Sequence, residues 1–188
     1  DPILNPAAIN EDSGAQNVAL SNIAAGGGES QDLQVTATSG NTALIPHPTV
    51  TYTSPYKTGG LTYTPVANAS GTAVITVILR DAGLDAALGN ADDATATKTF
   101  TVTVTAVNDP PTLTSVSDPA PVSQDSGQQT ISLSGISAGG GESQTLQMTA
   151  ASSNTSLIPN PTVTYTSPAT TGSLKYTPVA GQSGTAVI

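Results

Sequence analysis

The chain has 188 residues, of which 37% are apolar and only 3% aromatic, with no cysteine and a formal net charge of −9. Its acidic balance repels nucleic-acid phosphates and anionic lipid surfaces, so we expect no nucleic-acid binding. No run approaches the roughly 20 apolar residues of a membrane-spanning helix, so we expect no membrane insertion. Without cysteine there are no disulfides and no thiol nucleophiles, whereas carboxylates suit hard cations that bind oxygen. Threonine supplies 30 residues. Because branching at Cβ favours strands over helices, the composition predicts an all-β protein.

Short segments along the chain alternate between apolar and polar residues, as half-buried strands do. The predicted strands are two leading segments near 7–9 and 18–20, then "LQVTAT", "TVTYT" and "LTYTP", a central strand "TAVITVIL" that is apolar on both faces, and a last strand "TKTFTVTVTAV". The residues that the last strand turns inward are predicted to be Phe100, Val102, Val104 and Ala106. About seven strands in roughly 100 residues predict an immunoglobulin-like or cadherin-like sandwich.

The chain contains an internal repeat. Residues 1–75 align with residues 114–188 without a gap, and 48 of the 75 aligned pairs are identical. The run "AGGGESQ" therefore occurs twice, at 25–31 and 138–144, as a fixed part of the repeated unit. A period of 113 residues exceeds the roughly 20–50 residues of a solenoid unit and fits one self-contained sandwich per copy.

The repeat predicts two domains, a first sandwich at 1–108 and a second copy at 109–188. The second copy stops at Ile188, which matches Ile75, so it lacks counterparts of 76–108 and thus the last two long strands. A sandwich without those strands exposes its core and unpaired strand edges. We therefore expect the sequence to be a piece of a longer array of modules; the alternative is that the second copy borrows strands from elsewhere.

Two connections separate the predicted strands. The segment "VNDPPTL" (107–113) is the linker between the copies, stiffened by Pro110 and Pro111 because each ring fixes φ. The segment "LDAALGNA" (84–91) is the one helical candidate, of one or two turns.

Three motifs resemble the cadherin-like tandem repeats of large bacterial proteins: "INEDSG", "VILRDAG" and the closing "TKTFTVTVTAVNDPP". In that family an Asp-x-Gly turn precedes the final strand, and a Val-Asn-Asp-x-Pro-like linker leads into the next module. The resemblance implies a non-enzymatic module of an extended stalk or filament in an adhesin-like protein, secreted or at the cell surface. Its implied partners are neighbouring repeats of the same polypeptide or filament and, for an adhesive module, surface glycans or proteins.

The resemblance also implies calcium at the module junctions. The ligands carried over by position are Glu11, Asp81, Asn108, Asp109 and Glu142. Calcium takes six to eight oxygens at about 2.3–2.6 Å, so these groups have to converge, and the second glycine run would bend Glu142 onto the linker. The alternative is that Glu11 lies in a solvated turn while Asp81 and Asp109 cap loops.

Catalytic groups are not shared by the two copies. His47 is the single histidine, and its counterpart is Asn160, so no Ser–His–Asp arrangement can form twice. The glycine run lacks the lysine of a phosphate-binding loop. We expect no enzyme activity. The alternative function is a carbohydrate- or protein-binding adhesive module, with selectivity in the differing stretch "YKTGG" (56–60) against "ATTGS" (169–173).

Overall fold

A computed structural model describes residues 2–188; residue 1, where the first predicted domain begins, lies outside them. Ten strands provide the regular structure: β1 (Ile9–Asn10), β2 (Gln16–Leu20), β3 (Leu33–Ser39), β4 (Thr49–Thr51), β5 (Gly59–Tyr63), β6 (Gly71–Asp81), β7 (Thr95–Thr105), β8 (Gln129–Ser134), β9 (Thr162–Thr164) and β10 (Thr171–Tyr176). No helix occurs within residues 2–188, which confirms the all-β fold class. Accordingly, this part of the chain contains no helix long and apolar enough to span a membrane.

The chain divides into two compact units. The first, called unit 1, ends at Val107, and the second, called unit 2, begins at Asn108.

Unit 1 contains two sheets. One has four strands in the order β1-β7-β6-β3, and the other has three in the order β2-β5-β4. Strands β6 and β7 are antiparallel along almost their whole length, with Ile75 opposite Phe100, while β1 runs parallel to the end of β7. Strand β6 thus lies between two partners, which confirms the predicted central strand.

The core of unit 1 lies between these sheets and draws on both of them. In β7 the alternation of the sequence becomes an alternation of burial, with Phe100, Val102 and Val104 buried. The prediction was wrong for Ala106, which is exposed because β7 ends at Thr105. The most deeply buried large side chains are Ile45, Leu61, Ile75 and Val102.

The long connection between β6 and β7 forms turns, so the predicted helix at 84–91 is wrong. Asp85 accepts hydrogen bonds from the Ala87 N–H at 2.9 Å and from the Asn90 side chain at 2.7 Å. These two donors hold the pKa of Asp85 below its usual value. Such local bonds offer the backbone an alternative to helical pairing, and Ala86 takes a φ of 60° that a right-handed helix excludes.

Unit 2 retains one of the two sheets, with three strands in the order β8-β10-β9. Its register repeats that of unit 1: Gln129 lies opposite Tyr176 as Gln16 lies opposite Tyr63. The segment 146–152, which aligns with β3, forms no strand. The reason is that β3 pairs with 75–81 of β6 in unit 1, and the second copy reaches only the counterpart of Ile75.

Equivalent loops in the two copies also share their hydrogen bonds. The Leu33 N–H donates to Ser54 Oγ and the Leu146 N–H to Ser167 Oγ, both at 3.1 Å. Both copies also place a cis peptide bond before the matching proline, at Ser54–Pro55 and Ser167–Pro168. The repeat therefore extends from sequence to individual hydrogen bonds.

Candidate functional site

The structure brings three of the five predicted calcium ligands together within unit 2 and separates the other two within unit 1. Asn108, Asp109 and Glu142 come together in unit 2, whereas Glu11 and Asp81 lie at opposite ends of β7 in unit 1. The Glu11 N–H donates to the Thr105 carbonyl and the Asp81 N–H to the Ala94 carbonyl. Eleven residues of extended chain separate those two carbonyls, which is roughly 35 Å. One ion therefore cannot bind both Glu11 and Asp81 of unit 1.

The group in unit 2, here called the linker cluster, consists of Asn108, Asp109, Glu142 and Gln144. Glu142 Oε2 accepts hydrogen bonds from the Asp109 N–H at 3.3 Å and from Gln144 Nε2 at 3.0 Å. Gln144 Nε2 also donates to Asn108 Oδ1 at 2.5 Å. The cluster thus joins the start of unit 2 to the acidic end of the second glycine run. Sequence reasoning missed Gln144, although it closes the repeated "AGGGESQ".

The second glycine run lets the backbone approach the linker closely. Gly139 and Gly140 have φ values of 94° and 47°, in the left-handed region that glycine adopts without strain. A Cβ at Gly140 would overlap the Asp109 carboxylate, and one at Gly139 would overlap the Pro110 carbonyl. The turn is closed by the Glu142 N–H, which donates to the Gly139 carbonyl at 2.8 Å. Glycine is therefore required at both positions for conformation, and at Gly139 also for space, because the Pro110 carbonyl that a Cβ would meet belongs to the backbone.

Asp109 Oδ2 has no hydrogen-bond partner, although it is shielded from solvent. A buried carboxylate oxygen without a partner is costly, and a cation removes that cost. The oxygen ligands nearby are of the hard type that calcium prefers, from two carboxylates and the Asn108 amide. Within residues 2–188, however, no group of three or more His, Cys, Asp or Glu side chains is arranged to hold a metal ion. Backbone carbonyls and water would have to complete the shell.

Glu11 closes the end of β7. It is 6% exposed, and its Oε1 accepts a hydrogen bond from the Val107 N–H at 2.6 Å. The Glu11 carboxylate therefore satisfies the backbone just beyond β7, where no strand supplies an acceptor. The counterpart in the second copy is Gln124, which is exposed.

Asp81 closes the connection between β6 and β7 at the other end of the sheet. It is 8% exposed, and its Oδ1 accepts hydrogen bonds from the Gly83 N–H at 3.2 Å and the Ala94 N–H at 2.8 Å. Nearby, Arg80 Nη1 lies 3.6 Å from Asp93 Oδ2. These contacts hold the two ends of the connection together, as a capping residue does.

No protein-family model matches this chain, and no curated protein matches it. Among solved structures, the chain is similar to one described as "Structure of surface layer protein SbsC, domains 4-9", with 16% sequence identity and a TM-score of 0.28. The similarity covers 81% of this chain and 19% of that chain, so the chain spans about a fifth of its length. At that TM-score the similarity carries no conclusion about function.

Proposed function

We propose that this chain is a non-enzymatic structural repeat whose tandem copies add length to a stalk or filament of an adhesin-like protein, secreted or on the bacterial surface. One observation supports the proposal: the three-stranded sheet of unit 1 and the sheet of unit 2 pair their strands in the same register. Val18 lies opposite Leu61 in unit 1, and Ile131 lies opposite Leu174 in unit 2. The copies keep this sheet and its register, as expected where the repeated property is architecture.

The partners proposed for this role are neighbouring copies of the same polypeptide or filament. The extracellular location is supported by the resemblance of "INEDSG" and "VNDPP" to bacterial cadherin-like repeats. A chain of this kind needs sandwiches that fold as separate cores, so that each added copy contributes its own length.

We further infer that calcium binds at the linker cluster. Asp109 and Glu142 would provide carboxylate oxygens and Asn108 an amide oxygen, and the partnerless Asp109 Oδ2 supports the assignment. When bound, calcium supplies the positive charge that two neighbouring carboxylates lack in this cluster. The ion would hold the glycine run against the linker and so stiffen the start of unit 2.

Calcium titration of the Glu142→Gln variant tests the metal site. Glu29→Gln is the matched control, because Glu29 is the counterpart of Glu142 and its N–H closes the first glycine run in the same way, at 2.9 Å to the Gly26 carbonyl. We expect wild type and Glu29→Gln to bind calcium and Glu142→Gln to lose it. At a calcium concentration 100 times Kd, unit 2 should gain about 2.7 kcal/mol. Equal calorimetric titrations for both variants, or no heat for wild type, would remove calcium from the proposal.

The structural role predicts how the length of the particle depends on the number of copies. Chains with increasing numbers of complete 113-residue copies are compared by small-angle scattering, with calcium and with a chelator. We expect the largest particle dimension to grow by a constant increment per copy. Particles that grow in all directions as copies are added would contradict a stalk.

A further inference from the structure

A shallow groove of about 440 Å³ lies on the solvent side of the three-stranded sheet in unit 1. Strands β2, β5 and β4 bury Leu61 and Tyr63 on one face and turn Asn17, Gly60 and Thr62 to the other. Gly60 presents no side chain, so the floor of the groove is backbone. The volume is within the roughly 300–1,000 Å³ of small-ligand sites.

Tyr56 forms one wall of this groove and is 66% exposed, the most exposed aromatic side chain in the described part of unit 1. Its backbone is held in a turn by a hydrogen bond from the Tyr56 N–H to the Thr53 carbonyl at 3.0 Å. A tyrosine ring has an apolar face and a polar tip, so it stacks well on ligands that combine C–H and O–H groups.

The rest of the lining is uncharged and, apart from a second aromatic side chain at Tyr52, consists of glycines and polar residues. The Thr62 hydroxyl donates to Asn17 Oδ1 at 2.8 Å, which leaves the amide hydrogens of Asn17 for a ligand. The threonines along the groove, Thr51, Thr53 and Thr58, add hydroxyls that donate and accept. Neutral donors and acceptors beside the exposed face of Tyr56 match the hydroxyls and C–H face of a neutral sugar ring. They do not match an anionic sugar, nor the apolar anchors of a protein partner.

The second copy is a natural comparison, because it keeps the register and changes the groove. The residues that replace Asn17, Tyr56, Gly60 and Thr62 are Thr130, Ala169, Ser173 and Lys175. Unit 2 thus keeps Tyr165 as the counterpart of Tyr52 but lacks the exposed wall of Tyr56, and it adds a side chain at Ser173 and a charge at Lys175. We propose that unit 1 binds a neutral hexopyranose residue of a surface glycan in this groove. The proposal extends the adhesin-like role, and its test does not depend on length or calcium.

The test is an NMR titration of the full chain with methyl glycosides of glucose, galactose and mannose. We expect amide shifts around 56–62 and at Asn17, and none around the counterparts at 169–175. Tyr56→Ala should weaken binding about tenfold, which is ~1.4 kcal/mol, and Tyr56→Phe should retain it. Gly60→Ser introduces the residue of the second copy and should block the floor; its Cβ has room, with Val18 O at 3.8 Å as the nearest atom.

Leu84→Ala is the control, because Leu84 is 94% exposed in the connection between β6 and β7, away from the groove. It should bind like wild type. Amide exchange of β5 confirms that each variant is folded. The proposal is overturned if no glycoside shifts the wild-type amides, if both copies respond alike, or if Tyr56→Ala and Gly60→Ser bind unchanged. If glycoside binding fails but the particle length still grows with each added copy, the proposed structural role stands independently of the groove.

Discussion

The Ser39 N–H donates a hydrogen bond to His47 Nδ1 at 3.0 Å, and in the second copy the Ser152 N–H donates to Asn160 Oδ1 at the same distance. The histidine ring nitrogen and the asparagine amide oxygen are therefore interchangeable acceptors. This explains why the single histidine of the chain is replaced in its counterpart: the position needs an acceptor, and either side chain supplies it.

Exchanging His47 tests this equivalence. His47→Asn should leave the free energy of unfolding of unit 1 within ~0.5 kcal/mol, whereas His47→Ala should lower it by about 1 kcal/mol because the Ser39 N–H loses its acceptor. Urea unfolding combined with amide exchange of β3 measures both. Equal stability of the two variants would show that the hydrogen bond contributes nothing.

The two glycine runs permit a matched pair of substitutions. Gly27 and Gly140 are counterparts with φ values of 53° and 47°, so alanine at either should cost about 1–2 kcal/mol in backbone strain. At Gly140 the new Cβ also meets the Asp109 carboxylate, whereas at Gly27 the nearest atom is Glu29 Oε1 at 3.7 Å. We expect Gly140→Ala to lose about 1–3 kcal/mol more than Gly27→Ala.

The comparison is read by amide exchange, in β10 for Gly140→Ala and in β5 for Gly27→Ala. If both variants lose the same stability, the Asp109 side chain moves away from the new methyl group, and its close contact with Gly140 does not stabilise unit 2.

Tyr63 makes unit 1 sensitive to alkaline pH. It is 4% exposed, and burial raises the pKa of its phenol above the usual value of 10.0. Below the unfolded pKa both states are protonated and the full stability is present. As pH rises from about 10 towards the folded pKa, the unfolded state releases its proton first and stability falls.

Tyr63→Phe should therefore reduce the loss of stability between about pH 8 and pH 11. Tyr56→Phe, which removes an exposed phenol, should lose as much stability at alkaline pH as wild type does. The measurement is urea unfolding at a series of pH values. An alkaline loss that persists unchanged in Tyr63→Phe would assign it to other groups.

The open face of unit 2 predicts how it can be stabilised. Ile75 is fully buried, whereas its counterpart Ile188 is 46% exposed, and a cavity of about 180 Å³ lies beside Ile136 and Leu146. A variant with residues 76–107 appended after Ile188 offers unit 2 the two strands that cover this face in unit 1. We expect 146–152 to become a strand and burial of Ile188 alone to add about 1 kcal/mol.

The control for that variant carries serine at the appended copies of Phe100, Val102 and Val104, which keeps the length and removes the apolar face. The amides of 146–152 should become protected from hydrogen exchange when the native segment is appended and stay poorly protected when the serine-substituted segment is appended. Equal protection in the two chains would mean that apolar packing does not hold these strands.

Local patterns in the sequence determined the parts of the fold that depend on neighbours in the chain. The alternation around Phe100 and Val102 predicted β7 because successive residues of a strand face opposite sides. The repeat itself, and the place of Glu142 beside the linker, also followed from the sequence and its resemblance to a family. Loop 84–91 was mispredicted because hydrogen bonds that the Asp85 carboxylate accepts compete with helical pairing, and their strength is not visible in a helical pattern.

Only the tertiary structure decided which distant residues meet. Glu11 and Asp81 both belong to motifs that suggest calcium. The antiparallel pairing of β6 with β7 puts Asp81 at one end of β7, whereas the parallel pairing of β1 with β7 puts Glu11 at the other. The groove beside Tyr56 likewise depends on register, which brings Asn17 opposite Thr62. Strand direction and register arise from pairing between segments far apart in the chain, and the residues along one segment do not specify the partner against which it lies.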